Sequence, residues 1–207
     1  MNFNEFSLWF RPLIVFGTKD ILKIYPKFNS INLTNWQKAE YIIKIAKGYY
    51  TFGDLIIDKP FLYFASNKIT LYSYVSSESA ISYYGIGSLE DTLTSVSSIK
   101  SYLYRSDYGG FKYHKINNSN LISNIRLIKS KNFYFKIATI EKALADYFYF
   151  NTKNQTRAEI RMLEFDKAKI SLQVNPDLLL KISREYKNES FNERIRNFLN
   201  VFHKSHS

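Results

Sequence analysis

Between Asn4 and Phe52 the chain places three short helical patterns, then two β-rich runs joined by Lys47-Gly48. That order restricts the segment to a few small folds. Residues 4–10 read as an apolar helix that stops near Pro12, where the ring removes a backbone donor. Thr18 is placed to cap a second helix, TKDILKIYP, with Asp20 in its first turn against the positive end of the dipole. Ile21, Leu22 and Tyr25 share one face, and Pro26 ends it. After the turn PKFNS, Ser30 or Asn32 caps a third helix that runs to about Ala39 and carries Leu33 and Trp36. YIIKIA (41–46) and YYTF (49–52) then flank a turn in which Gly48 is free to take positive φ, a hairpin signal.

Three helices followed by a hairpin are the element order of a winged helix-turn-helix. In that module the third helix enters the major groove and the hairpin wing touches the flanking backbone. The third helix would offer Asn32, Thr34, Asn35, Gln37 and Lys38 to base edges and phosphates. The wing would offer Lys44, Lys47, Tyr49 and Thr51 to phosphates. A winged helix serving only as a scaffold for protein contact fits the same pattern.

Beyond residue 58 the periods mix. Residues 61–71 read as a helix and YVS (74–76) as an extended link. A compact helix follows over 76–86, capped by Ser77 and stopped by Gly85. Alternation marks strands at 92–99 and 111–116, across a turn at residues 107–110, and a strand pair at 125–129 and 133–137. Thr139 caps IEKALADYFYF, and NTKNQTR (151–157) is a polar linker. Helices at 157–164, from Pro176 to about Lys187, and at 190–203 end the chain. The last two are amphipathic through Leu178, Leu179, Ile182, Phe191, Ile195, Phe198, Leu199 and Phe202. They suit a helical hairpin packed on the body, or an exposed partner surface. The expected class is α+β: a winged helix-turn-helix at 1–58, then a mixed α/β domain at 59–207 with a helical C-terminal tail.

The charge is uneven. The net charge is +11, and residues 95–136 hold eight basic side chains against Asp107 alone. These are Lys100, Arg105, Lys112, Lys115, Arg126, Lys129, Lys131 and Lys136. A codon-driven drift toward Lys would spread more evenly. The cluster reads either as an anion-binding surface, with nucleic acid the leading partner, or as an exposed Lys-studded sheet face. A hydrophobic fraction of 45% excludes a disordered basic tail. No apolar run reaches the roughly 18 residues of a membrane span. The N-terminus lacks a secretory pattern, so a cytoplasmic location without membrane contact is expected. The chain has no cysteine, hence no disulfide, thiol nucleophile or zinc thiolate.

Enzymatic patterns are sparse. His114, His203 and His206 are the only histidines, and no metal-ligand spacing, phosphate loop or cofactor motif stands out. Glu164 and Asp166, followed by Lys167 and Lys169, form the best metal-dependent nuclease candidate. Glu141, Lys142 and Asp146 read as a structural anchor for their helix.

Four segments together resemble the AbiEi-type antitoxins. WQKAEYIIKIAKGYYTF (36–52) is similar to their helix-end and wing. YVSSESAISYYGI (74–86) and residues 92–98 resemble the helix and strand that follow. IATIEKALADYFY (137–149) matches through Ile137, Ala138, Glu141, Lys142, Ala143, Leu144, Asp146 and Tyr149. The likeness spans about residues 15–150. Glu40 stands where relatives usually carry Gly, and Ala46-Lys47 where many carry two basic residues. The resemblance implies a transcriptional repressor that binds inverted repeats in its own promoter, and since operator symmetry mirrors protein symmetry a dimer on DNA is expected. It also implies antitoxicity toward a nucleotidyltransferase-like toxin encoded next door, in a phage-defence operon, without enzymatic activity of its own.

Overall fold

In a computed structural model of the chain, residues 1–88, 91–117, 123–153 and 156–202 are described. The N-terminal unit runs α1 (Phe3–Phe10), a 3-10 turn at Arg11–Leu13, β1 (Val15–Gly17), α2 (Thr18–Ile24), α3 (Ile31–Lys38), β2 (Ile42–Ala46) and β3 (Tyr49–Phe52). The strands form an antiparallel sheet in the order β1-β3-β2. β1 is an addition to the sequence reading. Three residues are too few to show alternation, and Val15–Gly17 becomes a strand only because Thr51, Tyr50 and Tyr49 lie opposite.

Successive strand residues point to opposite faces. Phe16, Tyr50, Phe52 and Ile42 turn toward the helices, against Phe6, Phe10, Ile21, Leu33 and Trp36. Val15, Ile45 and Ala46 join the core of the following body instead. The small sheet is therefore filled on both sides. The cap of α2 also differs from expectation: Gly17 holds the N-cap position, and the Asp20 carboxylate accepts from Gly17 N at 2.8 Å. Ser30 precedes α3 without a side-chain bond, and Asn29 Oδ1 takes the Ile31 amide at 3.0 Å.

The body holds α4 (Lys59–Ile69), β4 (Ser73–Val75), α5 (Ser77–Tyr83), β5 (Thr92–Ser97), β6 (Tyr102–Ser106), β7 (Gly109–Lys115), β8 (Ile125–Ser130), β9 (Phe133–Ala138) and α6 (Ile140–Phe150). Four helices follow: α7 (Arg157–Arg161), α8 (Lys167–Gln173), α9 (Pro176–Glu185) and α10 (Glu189–Phe202). The sheet order is β6-β7-β5-β4-β9-β8, with β4–β9 and β5–β7 parallel and the other pairs antiparallel. The chain is thus mixed α+β.

YVS is not a link: β4 sits in the middle of the sheet, between β5 and β9. β6 was not expected, nor was α8. Ser76 rather than Ser77 precedes α5, with its hydroxyl turned to Asp146 instead of a helix amide. The stop after α5 is as expected. Gly85 takes φ +73°, Gly85 N reaches Ser82 O at 2.9 Å, and Ile86 N reaches Ile81 O at 3.1 Å.

α4 covers one face of the large sheet: Ser66 and Ser95 share a 2.7 Å hydrogen bond, and the Tyr113 hydroxyl donates to Ser66 O. α6 covers the other, where Tyr74 donates to Asp146 and His114 stacks on Phe150 at 4.4 Å. The amphipathic pair α9–α10 packs on α6 through Phe148–Phe198, and the buried Arg194 donates from Nε to Phe148 O at 3.1 Å. Of the two roles open to that pair, its apolar stripe takes the packed one. Among the described residues no helix is long and apolar enough to cross a membrane.

Candidate nucleic-acid interface

α3 is oriented by two anchors one turn apart. Leu33 and Trp36 are buried, and the Trp36 ring lies 4.6 Å from Phe6 on α1. On a 3.6-residue period this leaves Thr34, Asn35 and Lys38 outward, and all three are exposed. Asn32 and Gln37 sit at the margins and are half-buried. Gln37 Nε2 already donates to Leu33 O at 2.9 Å, so this side chain is engaged by its own helix.

The turn after α3 is tight. Glu40 takes φ +58°, a left-handed conformation that glycine adopts without strain. Its carbonyl packs so closely on Gly53 that a Cβ there would collide with it. Lys44 on β2 and Lys47 in the turn to β3 are both exposed, with Gly48 at φ +80° in the tip.

Tyr49 parts from the expected wing surface. Its ring is half-buried, crosses Tyr104 of β6 at 6.3 Å and lies over Gly17. Burial, then Tyr104 and Asp20, push its phenol pKa up. It belongs to the junction between the N-terminal unit and the body. Thr51 is also buried, with its hydroxyl on Ile14 O at 2.8 Å. The wing is left with its lysines.

The eight basic residues of 95–136 do not form one surface. Strand order sends Lys100, Arg105, Lys112 and Lys115 to the β6–β7 edge and Arg126, Lys129, Lys131 and Lys136 to the opposite β8–β9 edge. β5 and β4 lie between them. The first group lies beside the hairpin of the N-terminal unit, since β2 packs against β6. There Lys100 Nζ lies 4.6 Å from the Tyr102 ring. At the other edge Lys131 pairs with Asp58 at 2.7 Å, which draws that carboxyl below its usual range.

A polar centre lies buried in the body. Asp146 is fully enclosed and accepts from Tyr74 at 2.9 Å, Ser76 at 2.6 Å, Lys142 Nζ at 2.9 Å and the Tyr186 hydroxyl. Burial, then the Asp146 charge, raises both phenols well above their ordinary pKa. Glu141 Oε1 accepts from Asn175 N at 3.0 Å, and Ser79 Oγ accepts from Thr94 N at 2.7 Å. One carboxylate so ties β4, α5, α6 and α9 together, closed off from solvent. Tyr186 is the member that sequence reading missed, because nothing local marks it.

Asp166 serves as the N-cap of α8, accepting from Lys169 N at 3.0 Å, which holds its carboxyl below the usual range. Glu164 is exposed beside it. No group of three or more His, Asp or Glu able to hold a metal occurs among the described residues. His114 is half-buried rather than a surface residue. Burial and then Lys112 lower its pKa, against the opposing pull of Glu78 and Asp146. His203 and His206 lie outside the described residues. A scan against protein-family models finds no match for the chain, and neither does a search of the curated proteins.

Proposed function

We propose that the chain is a DNA-binding repressor that acts as the antitoxin of a phage-defence operon, with residues 1–58 as a winged helix-turn-helix. The observation that carries this reading is the order α1-β1-α2-α3-β2-β3 with sheet order β1-β3-β2, which places a hairpin beside an outward helix face of Thr34, Asn35 and Lys38. Asn35 can pair bidentately with an adenine edge, and Lys38 can reach guanine or phosphate. Lys44 and Lys47 supply flanking phosphate contacts. The antitoxin part of the reading rests on the AbiEi resemblance, whose segments include Tyr74, Ser76, Lys142 and Asp146 of the buried centre. A dimer on inverted repeats would match the two-fold symmetry of such operators. The toxin partner is a nucleotidyltransferase-like protein, and no cofactor takes part.

The test is a mobility shift on the chain's own upstream DNA over a salt series. Log affinity should fall against log salt by about 0.9 per phosphate contacted. Lys44→Glu with Lys47→Glu should flatten that slope by about 2 and weaken binding. An unchanged slope overturns the wing assignment. A chain that shifts no upstream DNA yet neutralises a co-expressed toxin is a protein-binding module with a scaffold winged helix. Metal-dependent cleavage abolished by Glu164→Gln would replace the whole reading with a nuclease.

A further inference from the structure

The large sheet has two outer strands, and they are not equivalent. β6 lies beside β2 of the N-terminal unit. Along the outer side of β8 no strand pairs among the described residues. β8 reads Arg126-Leu127-Ile128-Lys129 through its middle, and residues 123–138 contain no acidic side chain. The open face of the β8–β9 hairpin is a checkerboard. Leu127 stands opposite Lys136, and Lys129 stands opposite Tyr134. Leu127 is 64% and Tyr134 52% exposed. Among the described residues no carboxylate pairs with Arg126, Lys129 or Lys136, whereas Lys131 at the tip is held by Asp58. Arg126 is hydrogen-bonded only to the neutral Tyr84 hydroxyl, so its charge is uncompensated.

From this geometry we infer that β8 is a docking edge for an extended acidic segment of a partner protein, which adds to the sheet as a seventh strand. The order of the four β8 residues specifies the segment. Cross-strand neighbours share a face, so the partner needs an acid against Arg126, apolar residues against Leu127 and Ile128, and an acid against Lys129. The pattern acid-apolar-apolar-acid is symmetric and is met by either strand direction. A second copy of this chain is the poorer occupant, because β8 and β9 carry no acidic side chain and self-pairing would leave Arg126 and Lys129 without a counter-charge. Nucleic acid would use the cations but not the free amides and carbonyls of the edge or the exposed Leu127. The inference stands apart from the DNA-binding reading, which concerns the opposite end of the sheet.

The experiment is fluorescence anisotropy of the full chain with a labelled octapeptide, Ser-Thr-Glu-Val-Ile-Glu-Thr-Ser. Two controls accompany it: the same peptide with Lys for Glu, and the Glu peptide with methylated backbone nitrogens at Val and Ile. The Glu peptide should bind at least about tenfold more tightly than either control. The pair Arg126→Glu and Lys129→Glu should invert the preference toward the Lys peptide. Equal binding of the methylated peptide would reduce the site to charge attraction and overturn strand addition. No binding of the Glu peptide, or its displacement by a short duplex of arbitrary sequence, would also overturn it. The peptide comparison on the unaltered chain decides the matter even if the double variant does not fold. Operator shifts by the same variants should stay unchanged, so failure here is distinct from failure of the repressor reading.

Discussion

Around the small sheet the interior is aromatic. Phe6 stacks on Phe10 at 4.5 Å, and Phe16, Trp36 and Phe52 close around them without any buried charge. Under the large sheet the interior contains an ion pair, Lys142 with Asp146, whose carboxylate is shared by three hydroxyls from other elements. The two regions teach different things about how a fold is specified. The burial of these rings is a non-directional driving force, so it holds α3 in place through Leu33 and Trp36 while Thr34, Asn35 and Lys38 stay exposed. A buried carboxylate satisfies its donors in one geometry only. It therefore fixes how β4, α5, α6 and α9 meet, and a missing partner leaves an uncompensated charge.

The comparison can be broken by substitutions in each region. Asp146→Ala should have the largest effect, because it strands the Lys142 ammonium in the interior. Urea unfolding followed by circular dichroism should show a loss of about 3–5 kcal/mol. A loss below about 1 kcal/mol would mean that the centre is not what holds the body. Phe6→Leu should cost less, about 1–2 kcal/mol, since the aromatic core loses volume but strands no polar group. Trp36 fluorescence reports that change directly. A cost equal to that of Asp146→Ala would erase the contrast.

The smallest expected effect concerns His114. Its pKa is held below the ordinary 6.5, so the unfolded chain takes up a proton more readily than the folded one. Stability should thus be unaffected by this group above pH 6.5 and fall as the pH drops below it. His114→Phe, which keeps a ring against Phe150, should make that fall shallower in melting curves taken across the range. An identical pH profile in the variant would show that titration of His114 does not contribute to the fall.

Much of the fold was legible where one residue settles one local question. Gly85 and Gly48 stop a helix and turn a hairpin, and Thr139 accepts from Lys142 N at the start of α6, as its side chain requires. The Pro26 and Pro12 breaks also lie where the ring demands. Less was legible where identity depends on a distant neighbour. β1 and β4 have three residues each, and neither alternates long enough to announce itself. α8 was hidden in a charged stretch because Asp166 looks alike as a cap and as a ligand. At the candidate interface, the outward set Thr34, Asn35, Lys38, Lys44 and Lys47 followed from helical and hairpin periods. The half-burial of Asn32, Gln37 and Tyr49 and the full burial of Thr51 did not: Gln37 is bonded within its own helix, Thr51 to Ile14 O, and Tyr49 meets Tyr104 on a strand distant in sequence.

The sequence by itself determined the helical faces, the turns and the amount of positive charge, since these follow from side-chain period, φ preference and counting. Only the tertiary structure decided where that charge goes. The run of eight cations is contiguous along the chain, yet the order β6-β7-β5-β4-β9-β8 divides it between opposite edges. Strand order is set by long-range pairing and by what each face buries, and neither is written in the spacing of the lysines. The same non-local pairing gathers Tyr74, Asp146 and Tyr186 around one carboxylate, joining residues that stand 72 and 40 positions apart.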